Sequence, residues 1–373
     1  MTRPPKRRKL EQGRQFLVDN WTSNIRIRFS KEEKRIYLSA TRGDIFASDK
    51  IDVELTDKDK EDFTVYLRPT QILEYLKFAM GEIEFYKYHS GARLVFSDTQ
   101  KFYLASDSDY AEFFDAYEDI KDDPVGVKIR VNAIALKNAL HFTTYISDKA
   151  YKNLSIKAID GGLCFGTTDG WRLAVSKDIA KTEQEIDCFI YSEIANIMNK
   201  MIEREDAPIS LFFSDKKLFF KDGSFVAGAL LTKGGKDIWK PLLTFPERNY
   251  IKFSPELDLA KKALRIAGLF AEQGSGSVTL KIDGETAMLY GEGVQVGNSC
   301  WTLSSQIKND KARLLCFNPN SIAGFISHSK TENISINIPE AKDKAFSVTG
   351  DDPDNSLIIM PMRVKNPPLP VGV

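Results

Sequence analysis

Cysteine and histidine are scarce in this sequence, with four cysteines and three histidines among 373 residues. The cysteines form neither a CxxC pair nor a regular framework, so we expect reduced thiols, mostly in the core, and a cytosol-like compartment. His89, His141 and His328 are widely separated along the chain and are expected on helices or at the surface. This spacing argues against a zinc site, and we expect no metal and no cofactor.

Long apolar runs and a charge of one sign are also absent. No apolar run approaches the about 18 residues that a transmembrane helix requires, so we expect no membrane partner. The sequence contains 52 Lys and Arg residues and 52 Asp and Glu residues, which gives a formal net charge of zero. Bulk charge therefore does not indicate a nucleic-acid-binding protein, although the distribution of charge can still do so.

The first ten residues are basic and lack the apolar segment of a secretory signal peptide. Residues 3–9 are compatible with a nuclear-import signal or a phosphate-binding arm. A solvated tail is the interpretation we favour, because short basic termini are common and carry little information. We expect a cytoplasmic protein.

Familiar catalytic motifs are missing as well. Gly235 and Lys236 do not form a phosphate-binding loop, because Leu230 stands where that motif has its first glycine and Asp237 where it has Ser or Thr. The glycines of residues 274–276 follow a predicted helix and precede a strand, which is the reverse of a dinucleotide-binding fingerprint. No nucleophile, base and acid stand at a meaningful spacing, so an enzyme is the least favoured class.

One apolar helix face occurs three times at roughly equal spacing. Its members stand at positions i, i+3 and i+4 of three segments: Ile72, Tyr75 and Leu76; Ile194, Ile197 and Met198; Ile322, Phe325 and Ile326. A period near one third of the chain predicts three tandem α+β copies rather than one large domain. We assign the copies to residues 1–123, 124–247 and 248–373, an organisation more typical of scaffolds and rings than of catalysts.

The second and third copies have the same predicted order of elements. In the second copy we predict strands at 127–131, 154–158, 163–165, 171–175, 186–190, 209–213, 218–221 and 225–231, and helices at 132–146 and from Ser192. In the third copy we predict strands at 250–253, 278–282, 287–290, 313–317, 334–338, 345–349 and 357–362, and helices at 255–270 and after Asn318 and Pro319.

The first copy differs from the others at its beginning. Strands are predicted at 25–29, 35–40 and 45–48, and a helix at 69–80. Too few residues precede position 24 for a full opening strand and helix, so this opening is shortened or rewritten, and residues 10–18 are interpreted as a remnant of the helix. At the other end of the chain, the proline-rich residues 365–373 predict a flexible tail.

Two segments combine a turn or a proline with apolar side chains and an arginine: residues 167–175 and residues 357–364. Methionine and aliphatic side chains near a chain end can line an adaptable groove for a peptide. The pattern alone, however, favours a core strand with its hairpin.

These segments resemble the bacterial sliding clamp, the β subunit of the replicative DNA polymerase. Thr168–Ala174 is similar to the family's Thr-Asp-Gly-His-Arg-Leu-Ala segment, and Met360–Arg363 to its terminal Met-Pro-Met-Arg stretch. Phe245–Arg248 looks like its Phe-Pro-Asp-Tyr connector. The resemblance is close in the second and third copies and looser in the first, and Trp171 replaces the family's histidine.

The resemblance implies a head-to-tail homodimer in which six clamp domains, each with two helices packed on antiparallel sheets, close into a ring. Such a ring encircles double-stranded DNA without sequence preference and tethers the replicative polymerase for processive synthesis. It performs no covalent chemistry, and the DNA polymerase and the clamp loader bind it through short peptides. The expected setting is the cytoplasm of a bacterium or of a phage-infected host. Our alternative is a clamp-fold interaction protein or decoy that captures such peptides without encircling DNA.

The resemblance also implies two sets of site residues. The partner-peptide pocket between the second and third copies would comprise Leu154, Thr168, Gly170, Trp171, Arg172, Leu173, Pro246, Ile358, Ile359, Met360, Pro361, Met362 and Arg363. The cations facing DNA, on the polar sides of the helices, would be Lys77, Lys137, Lys149, Lys152, Lys200, Lys261, Lys262 and Arg265. A wider indole at position 171 would narrow the groove or add stacking area.

Overall fold

The computed structural model describes residues 24–42, 45–55, 61–68, 84–89, 91–95, 101–106, 111, 114, 124–146, 153–202, 207–232, 238–239, 250–284, 286–304, 313–329, 331–340 and 344–364. The chain divides into two compact units. One contains Met1–Ala133 and Asn196–Leu231, and the other contains Ile134–Ala195 and Thr232–Val373. Within the described ranges, no helix is long and apolar enough to cross a membrane.

The described strands are short and antiparallel throughout. The first eight are β1 (Asn24–Ser30), β2 (Arg35–Arg42), β3 (Ile45–Asp52), β4 (Phe63–Leu67), β5 (Glu84–Tyr88), β6 (Gly91–Val95), β7 (Lys101–Leu104) and β8 (Val127–Asn132). The next eight are β9 (Asn153–Ile159), β10 (Gly162–Thr168), β11 (Arg172–Ser176), β12 (Asp187–Tyr191), β13 (Pro208–Phe213), β14 (Lys217–Asp222), β15 (Phe225–Leu230) and β16 (Tyr250–Phe253). The last seven are β17 (Val278–Asp283), β18 (Thr286–Gly293), β19 (Gly297–Ser304), β20 (Arg313–Phe317), β21 (Ser335–Pro339), β22 (Phe346–Thr349) and β23 (Asn355–Ile359).

Four helices lie within the described ranges: α1 (Ala133–Thr144), α2 (Ser192–Met201), α3 (Leu257–Glu272) and α4 (Pro319–Ser329). The start of α4 follows from its sequence, because the Oδ1 atom of Asn318 accepts a hydrogen bond from the backbone N–H of Asn320 at 2.9 Å. Pro319 fills the first helical position, where no intrahelical N–H is needed. The predicted N-cap and N1 proline are therefore confirmed.

The first unit contains an eight-stranded sheet of order β4-β1-β2-β3-β15-β14-β13-β8 and a three-stranded sheet of order β5-β6-β7. In the larger sheet, β15 pairs with β3 through Gly228 opposite Phe46. The Phe46 ring fills the space where a side chain at position 228 would stand, since a Cβ atom there would come within 2.2 Å of it. Glycine at this position thus allows the two strand groups to join.

The second unit repeats this arrangement with an eight-stranded sheet of order β12-β9-β10-β11-β23-β22-β21-β16 and a four-stranded sheet of order β19-β18-β17-β20. In its larger sheet, β11 pairs with β23 through Leu173 opposite Ile358. Adding eight to each strand number of the first sheet gives the strand order of the second, so the two larger sheets have the same topology. In the same numbering, the four-stranded sheet β19-β18-β17-β20 corresponds to β3-β2-β1-β4 of the first sheet. The three-stranded sheet β5-β6-β7 corresponds to its strands β13-β14-β15.

Each larger sheet combines strands from two of the predicted copies. β1–β4 of the first sheet come from the first predicted copy, and its other four strands come from the second. Contacts across these sheets explain why the two compact units do not follow the boundaries at residues 123 and 247. The division into three domains stays a prediction.

Of the described residues of the repeated helix face, all but the half-buried Ile197 lie in the core. Ile322, Phe325 and Ile326 of α4 are buried, as are Ile194 and Met198 of α2. The α4 residues pack with strands of the four-stranded sheet and of the second eight-stranded sheet in one large apolar cluster. The first copy of the face, at residues 72–76, lies outside the described residues.

The buried face of α3 agrees only in part with the expected one. We expected Leu259, Ala263, Ile266, Ala267 and Phe270 to face the core. Ala263 and Ala267 are buried and the other three are half-buried, while the remaining buried residues are Ala260, Leu264, Gly268 and Ala271. The helix packs through its smallest side chains, which allow its backbone to approach β18: a Cβ atom on Gly291 would lie 2.3 Å from the carbonyl oxygen of Ala267.

Most predicted strands of the second and third copies are confirmed, with ends displaced by a few residues. β19 was not predicted, and the last predicted strand ends at Ile359 rather than at residue 362. β4 to β7 of the first copy were also missed. The predicted helix at 69–80, the helix remnant at 10–18 and the tail at 365–373 lie outside the described residues.

Candidate functional site

The turn between β10 and β11 is held by a dense set of hydrogen bonds. One carboxylate oxygen of Asp169 accepts hydrogen bonds from the backbone N–H groups of Trp171 at 3.0 Å and Arg172 at 2.7 Å. Its other oxygen accepts from the Arg172 guanidinium at 2.7 and 2.6 Å. The Thr168 hydroxyl donates to the carbonyl of Arg172 and accepts from the N–H of Gly170. Gly170 has a φ of 90°, where a side chain would be strained.

This rigid turn presents an exposed tryptophan. The side chain of Trp171 is 71% exposed, while its backbone carbonyl accepts a hydrogen bond from Met360 at 2.9 Å. Met360 and Met362 follow the end of β23 and are 44% and 36% exposed. Met362 is fixed in turn by its N–H, which donates to the carbonyl of Cys316 at 2.8 Å. Large exposed apolar side chains on a fixed backbone are typical of a protein-binding surface.

A small apolar cluster, separate from the main core of the unit, includes side chains of β10, β11 and β23. It consists of Cys164, Leu173, Val175, Ile238, Trp239 and Ile358. Trp239 lies on the sheet over Gly166, where a Cβ atom would meet its ring at 3.0 Å, and donates a hydrogen bond from Nε1 to the Ser155 hydroxyl at 2.8 Å. Burial raises the pKa of the Cys164 thiol, which therefore packs as a neutral apolar group.

The predicted pocket residues are divided between the two faces of the sheet. Leu173 and Ile358 belong to the small cluster, whereas Ile359 belongs to the main core. Leu154 is completely buried, and the alternation of β9 places it on the face opposite Ser155. Two of the pocket residues thus support the strands instead of lining a groove beside Trp171. Pro246 lies outside the described residues.

The structure adds Trp239, Ile238 and Cys164 to the neighbourhood of the predicted pocket residues. In the sequence, the glycines and prolines of residues 232–247 are typical of a linker. The signal that could have identified Trp239 is a tryptophan in an otherwise polar linker, since so large an apolar side chain is seldom left in water. Arg363 is exposed, and Pro361 is half-buried between the two methionines.

The predicted basic residues lie on the outer sides of helices where they are described. Lys261, Lys262 and Arg265 of α3 and Lys200 of α2 are exposed, and Lys137 of α1 is half-buried. Lys261 is 3.9 Å from Asp258, a contact too exposed to hold the side chain firmly. Lys77, Lys149 and Lys152 lie outside the described residues.

Among the edge strands of the four described sheets, β19 and β7 occupy the positions that pair with each other inside the two larger sheets. β19 pairs with β18 alone, and β7 pairs with β6 alone. The exposed side chains of Leu269 on α3 and of Val294 and Val296 in the turn between β18 and β19 make up what we call the edge patch. The N–H of Val294 donates to the carbonyl of Gln273, which joins the hairpin to the end of α3.

The four cysteines are free thiols. Cys164 and Cys316 are buried, Cys188 is half-buried and Cys300 is exposed on β19. Burial raises the pKa of Cys188 to about 12. The expectation of a core location is therefore confirmed for Cys164 and Cys316 and not for Cys300, while Cys188 is half-buried.

No protein-family model and no curated protein sequence matches the chain. Its fold is similar to that of the DNA polymerase sliding clamp from Pseudomonas aeruginosa, with a TM-score of 0.81 and 13% identity over 96% of this chain and 98% of that one. The DNA polymerase III β subunit from Thermotoga maritima gives a TM-score of 0.78 at 15% identity, with coverages of 95% and 98%. The sliding clamp from Bacillus subtilis gives 0.79 at 16% identity, with coverages of 96% and 97%. The chain therefore has the fold of the bacterial DNA polymerase sliding clamps.

Proposed function

We propose that this protein is a DNA sliding clamp, a ring of two copies that encircles duplex DNA and tethers a replicative polymerase. The observation that carries the proposal is that the four-stranded and three-stranded sheets each reproduce part of the eight-stranded pattern. The four-stranded sheet ends at the open edge of β19, and the three-stranded sheet ends at the open edge of β7. Within the described residues, these two sheets together have seven of the eight strands in the pattern that each larger sheet completes.

We infer that β19 of one copy pairs with β7 of a second copy, as β11 pairs with β23 inside the chain. The two edges are unlike, so the copies associate head to tail, and each copy offers both edges. Pairing covers strand edges that would otherwise template aggregation. The edge patch then lies at this seam, where its apolar side chains would be removed from water.

In the proposed ring, the basic residues of the helices face the DNA. Lys137, Lys200, Lys261, Lys262 and Arg265 would contact phosphates, and none would read base edges. Weak contacts of this kind permit sliding. The tether holds the polymerase near the primer end, so that dissociation is followed by rapid rebinding. This mechanism uses no covalent chemistry and no cofactor.

The experiment that tests the proposal compares circular and linear DNA. The protein is assembled on a nicked circular plasmid with a clamp loader and ATP, and the complex is isolated at high salt. We expect retention on the circle and loss after a single restriction cut, because a ring can leave only over a free end. Equal retention on both forms contradicts encirclement.

Solution mass provides an independent test that needs no loader. A dimer of the 42.1 kDa chain supports the ring. A monomer at every concentration contradicts the ring. Together with binding of clamp-binding peptides, a monomer would support the alternative of an interaction protein or decoy.

We further propose that Trp171, Met360 and Met362 contact the short peptides of the polymerase and the clamp loader. Met362→Ala and Trp171→Ala should each weaken a polymerase-tail peptide by about 1–3 kcal/mol, the range of a hot-spot residue, measured by fluorescence anisotropy. Both side chains are exposed, so thermal stability should not change. Val125→Ala is the matched control, because Val125 is 88% exposed on the other compact unit.

Unchanged affinity in both variants would exclude this surface as the peptide site. Leu173→Ala is less informative, because Leu173 is only 7% exposed and its truncation would also destabilise the small cluster. We retain three domains, at residues 1–123, 124–247 and 248–373, as part of the proposal, together with a cytoplasmic setting in a bacterium or a phage-infected host.

A further inference from the structure

The three-stranded sheet β5-β6-β7 has one face on the core and one face away from it. Ala92, Leu94 and Leu104 pack in an apolar cluster, with Phe85 and Phe102 against it. Side chains alternate between the two faces of a strand, so the residues between these lie on the other face. That face, which we call the tyrosine face, carries Glu84, Tyr86, Tyr88, Arg93, Lys101 and Tyr103. The proposed clamp function uses none of these side chains.

The residues of the tyrosine face are neighbours across the strands. Arg93 lies opposite Tyr86 on one side and opposite Tyr103 on the other, so the three side chains form one row. The Arg93 guanidinium is 5.5 Å from the centre of the Tyr103 ring. Tyr88 lies opposite Gly91, which has no side chain to separate the rings of Tyr88 and Tyr103, and the centroids of these rings are 4.8 Å apart. The face is therefore aromatic with a cation inside it.

Two rings of the tyrosine face are open to solvent although they belong to regular strands. Tyr88 is 44% exposed and Tyr103 is 54% exposed. The planes of the two rings are inclined at 57°, so the rings are not stacked on one another. An exposed tyrosine ring offers a flat apolar surface on which a nucleic-acid base can stack. Each such contact strengthens binding about 5- to 150-fold.

The charges of the tyrosine face favour an anionic partner. Among the residues that the structure describes, no carboxylate pairs with Arg93 or Lys101, and the buried Nε atom of Arg93 has no hydrogen-bond acceptor. The Glu84 carboxylate instead accepts a hydrogen bond from the Tyr86 hydroxyl. Two positive charges without ion-pair partners therefore stand beside the exposed rings, where they would attract negative groups.

Single-stranded nucleic acid has both of the properties that this face would recognise. Its unpaired bases can stack on aromatic side chains while its phosphates contact cations, a combination common in proteins that bind single strands. The bases of a duplex are stacked on one another and cannot reach the rings. A proline-rich peptide would contact the rings but leave the cations without a partner, and an acidic peptide would do the reverse.

We propose that the tyrosine face binds single-stranded DNA, with bases on Tyr88 and Tyr103 and phosphates near Arg93 and Lys101. The binding is independent of sequence, because stacking and phosphate contacts do not read base edges. The choice of DNA over RNA rests on the proposed function, since a clamp at a primer end lies beside single-stranded template. The face itself is complete in one chain and does not depend on the ring.

Fluorescence anisotropy of labelled oligothymidylate with the full chain, without a clamp loader, tests the proposal. We expect saturable binding that the double variant Tyr88→Ala, Tyr103→Ala weakens about tenfold or more. The double variant Tyr88→Phe, Tyr103→Phe should bind as the parent does, because both rings remain. Tyr250→Ala is the matched control, since Tyr250 is 43% exposed on β16 of the other compact unit.

The salt dependence of the same binding tests the role of the cations. Lys101→Gln should lower the slope of log affinity against log salt concentration by about 0.7, the effect of one lost phosphate contact on a single strand. Lys87→Gln is the matched control. Lys87 is exposed on β5, but the alternation of the strand places it on the face opposite Tyr86 and Tyr88, and it lies 3.6 Å from Glu61. Its slope should equal that of the parent.

Several results would overturn this inference. They are the absence of saturable binding, equal affinity in the parent and the double alanine variant, and an equal loss in Tyr250→Ala. Tighter binding of oligouridylate would overturn the choice of DNA. A decaproline peptide that binds through the same tyrosines, without oligothymidylate binding, would identify a peptide site instead. A protein that binds oligothymidylate through these tyrosines but is lost from circular DNA supports the tyrosine face and contradicts only the clamp.

Discussion

Replacing Leu269 with aspartate should convert the proposed dimer into monomers at micromolar concentration. Leu269 is 56% exposed on α3, and Val294 and Val296 of the β18–β19 turn are 85% and 53% exposed. If this edge patch is buried at the seam, the variant places a charge in an apolar contact. The expected loss is about 2–4 kcal/mol, or roughly 30- to 700-fold in the dissociation constant.

Analytical ultracentrifugation over a range of concentrations measures this effect. Because Leu269 is exposed in the single chain, the variant should keep the thermal stability of the monomer. Val125→Asp is the control, since it adds the same charge to another highly exposed valine away from the edge patch. A Leu269→Asp protein that stays dimeric to nanomolar concentration would place the seam elsewhere. If Leu269→Asp is monomeric as expected, the variant should also leave circular DNA as readily as linear DNA.

Replacing Gly291 with alanine should destabilise the fold by roughly 2–4 kcal/mol, near the upper end of overpacking effects. Its Cβ atom would lie 2.3 Å from the carbonyl oxygen of Ala267 and 2.8 Å from the Cα atom of the same residue. Both obstacles are backbone atoms, so no side-chain rotation relieves the clash. α3 would have to move away from β18, and its basic residues with it.

Gly268→Ala is the matched control on the neighbouring helix position. Its Cβ atom would be 3.3 Å from Cγ of Pro319, a side-chain contact that small shifts relieve. Alanine also favours a helix interior over glycine by about 1 kcal/mol. We therefore expect this variant within about 1 kcal/mol of the parent in urea-induced unfolding. If Gly291→Ala is equally stable, α3 does not approach the sheet as closely as described.

The sequence was sufficient to predict elements that have strong periodicity. The face of α4 at Ile322, Phe325 and Ile326 is apolar at helical spacing, and it is buried as predicted. β19 was missed because its residues 297–302 are mostly polar or small and have no alternation. An edge strand without a partner on one side has little reason to show the pattern of a buried strand.

Packing through small side chains explains why the buried face of α3 was predicted only in part. A hydrophobic pattern gives weight to large residues, such as Phe270 and Ile266, but the close contact with β18 is made by Ala267. The candidate site was predictable to a similar degree. The turn and the methionines were found by resemblance, whereas the position of Trp239 depends on contacts between distant segments.

The displaced order of the sheets has a consequence for assembly. If an edge strand paired with the same strand of a second copy, the two copies would leave no free edge. β19 and β7, however, are different edges of one repeating pattern. Every added copy therefore consumes one edge and offers another, like monomers in a growing polymer. Only the angle between successive copies can end such growth, by bringing the last edge back to the first. Closed assemblies should then have one size whatever the concentration, while a variant that alters that angle should form fibres.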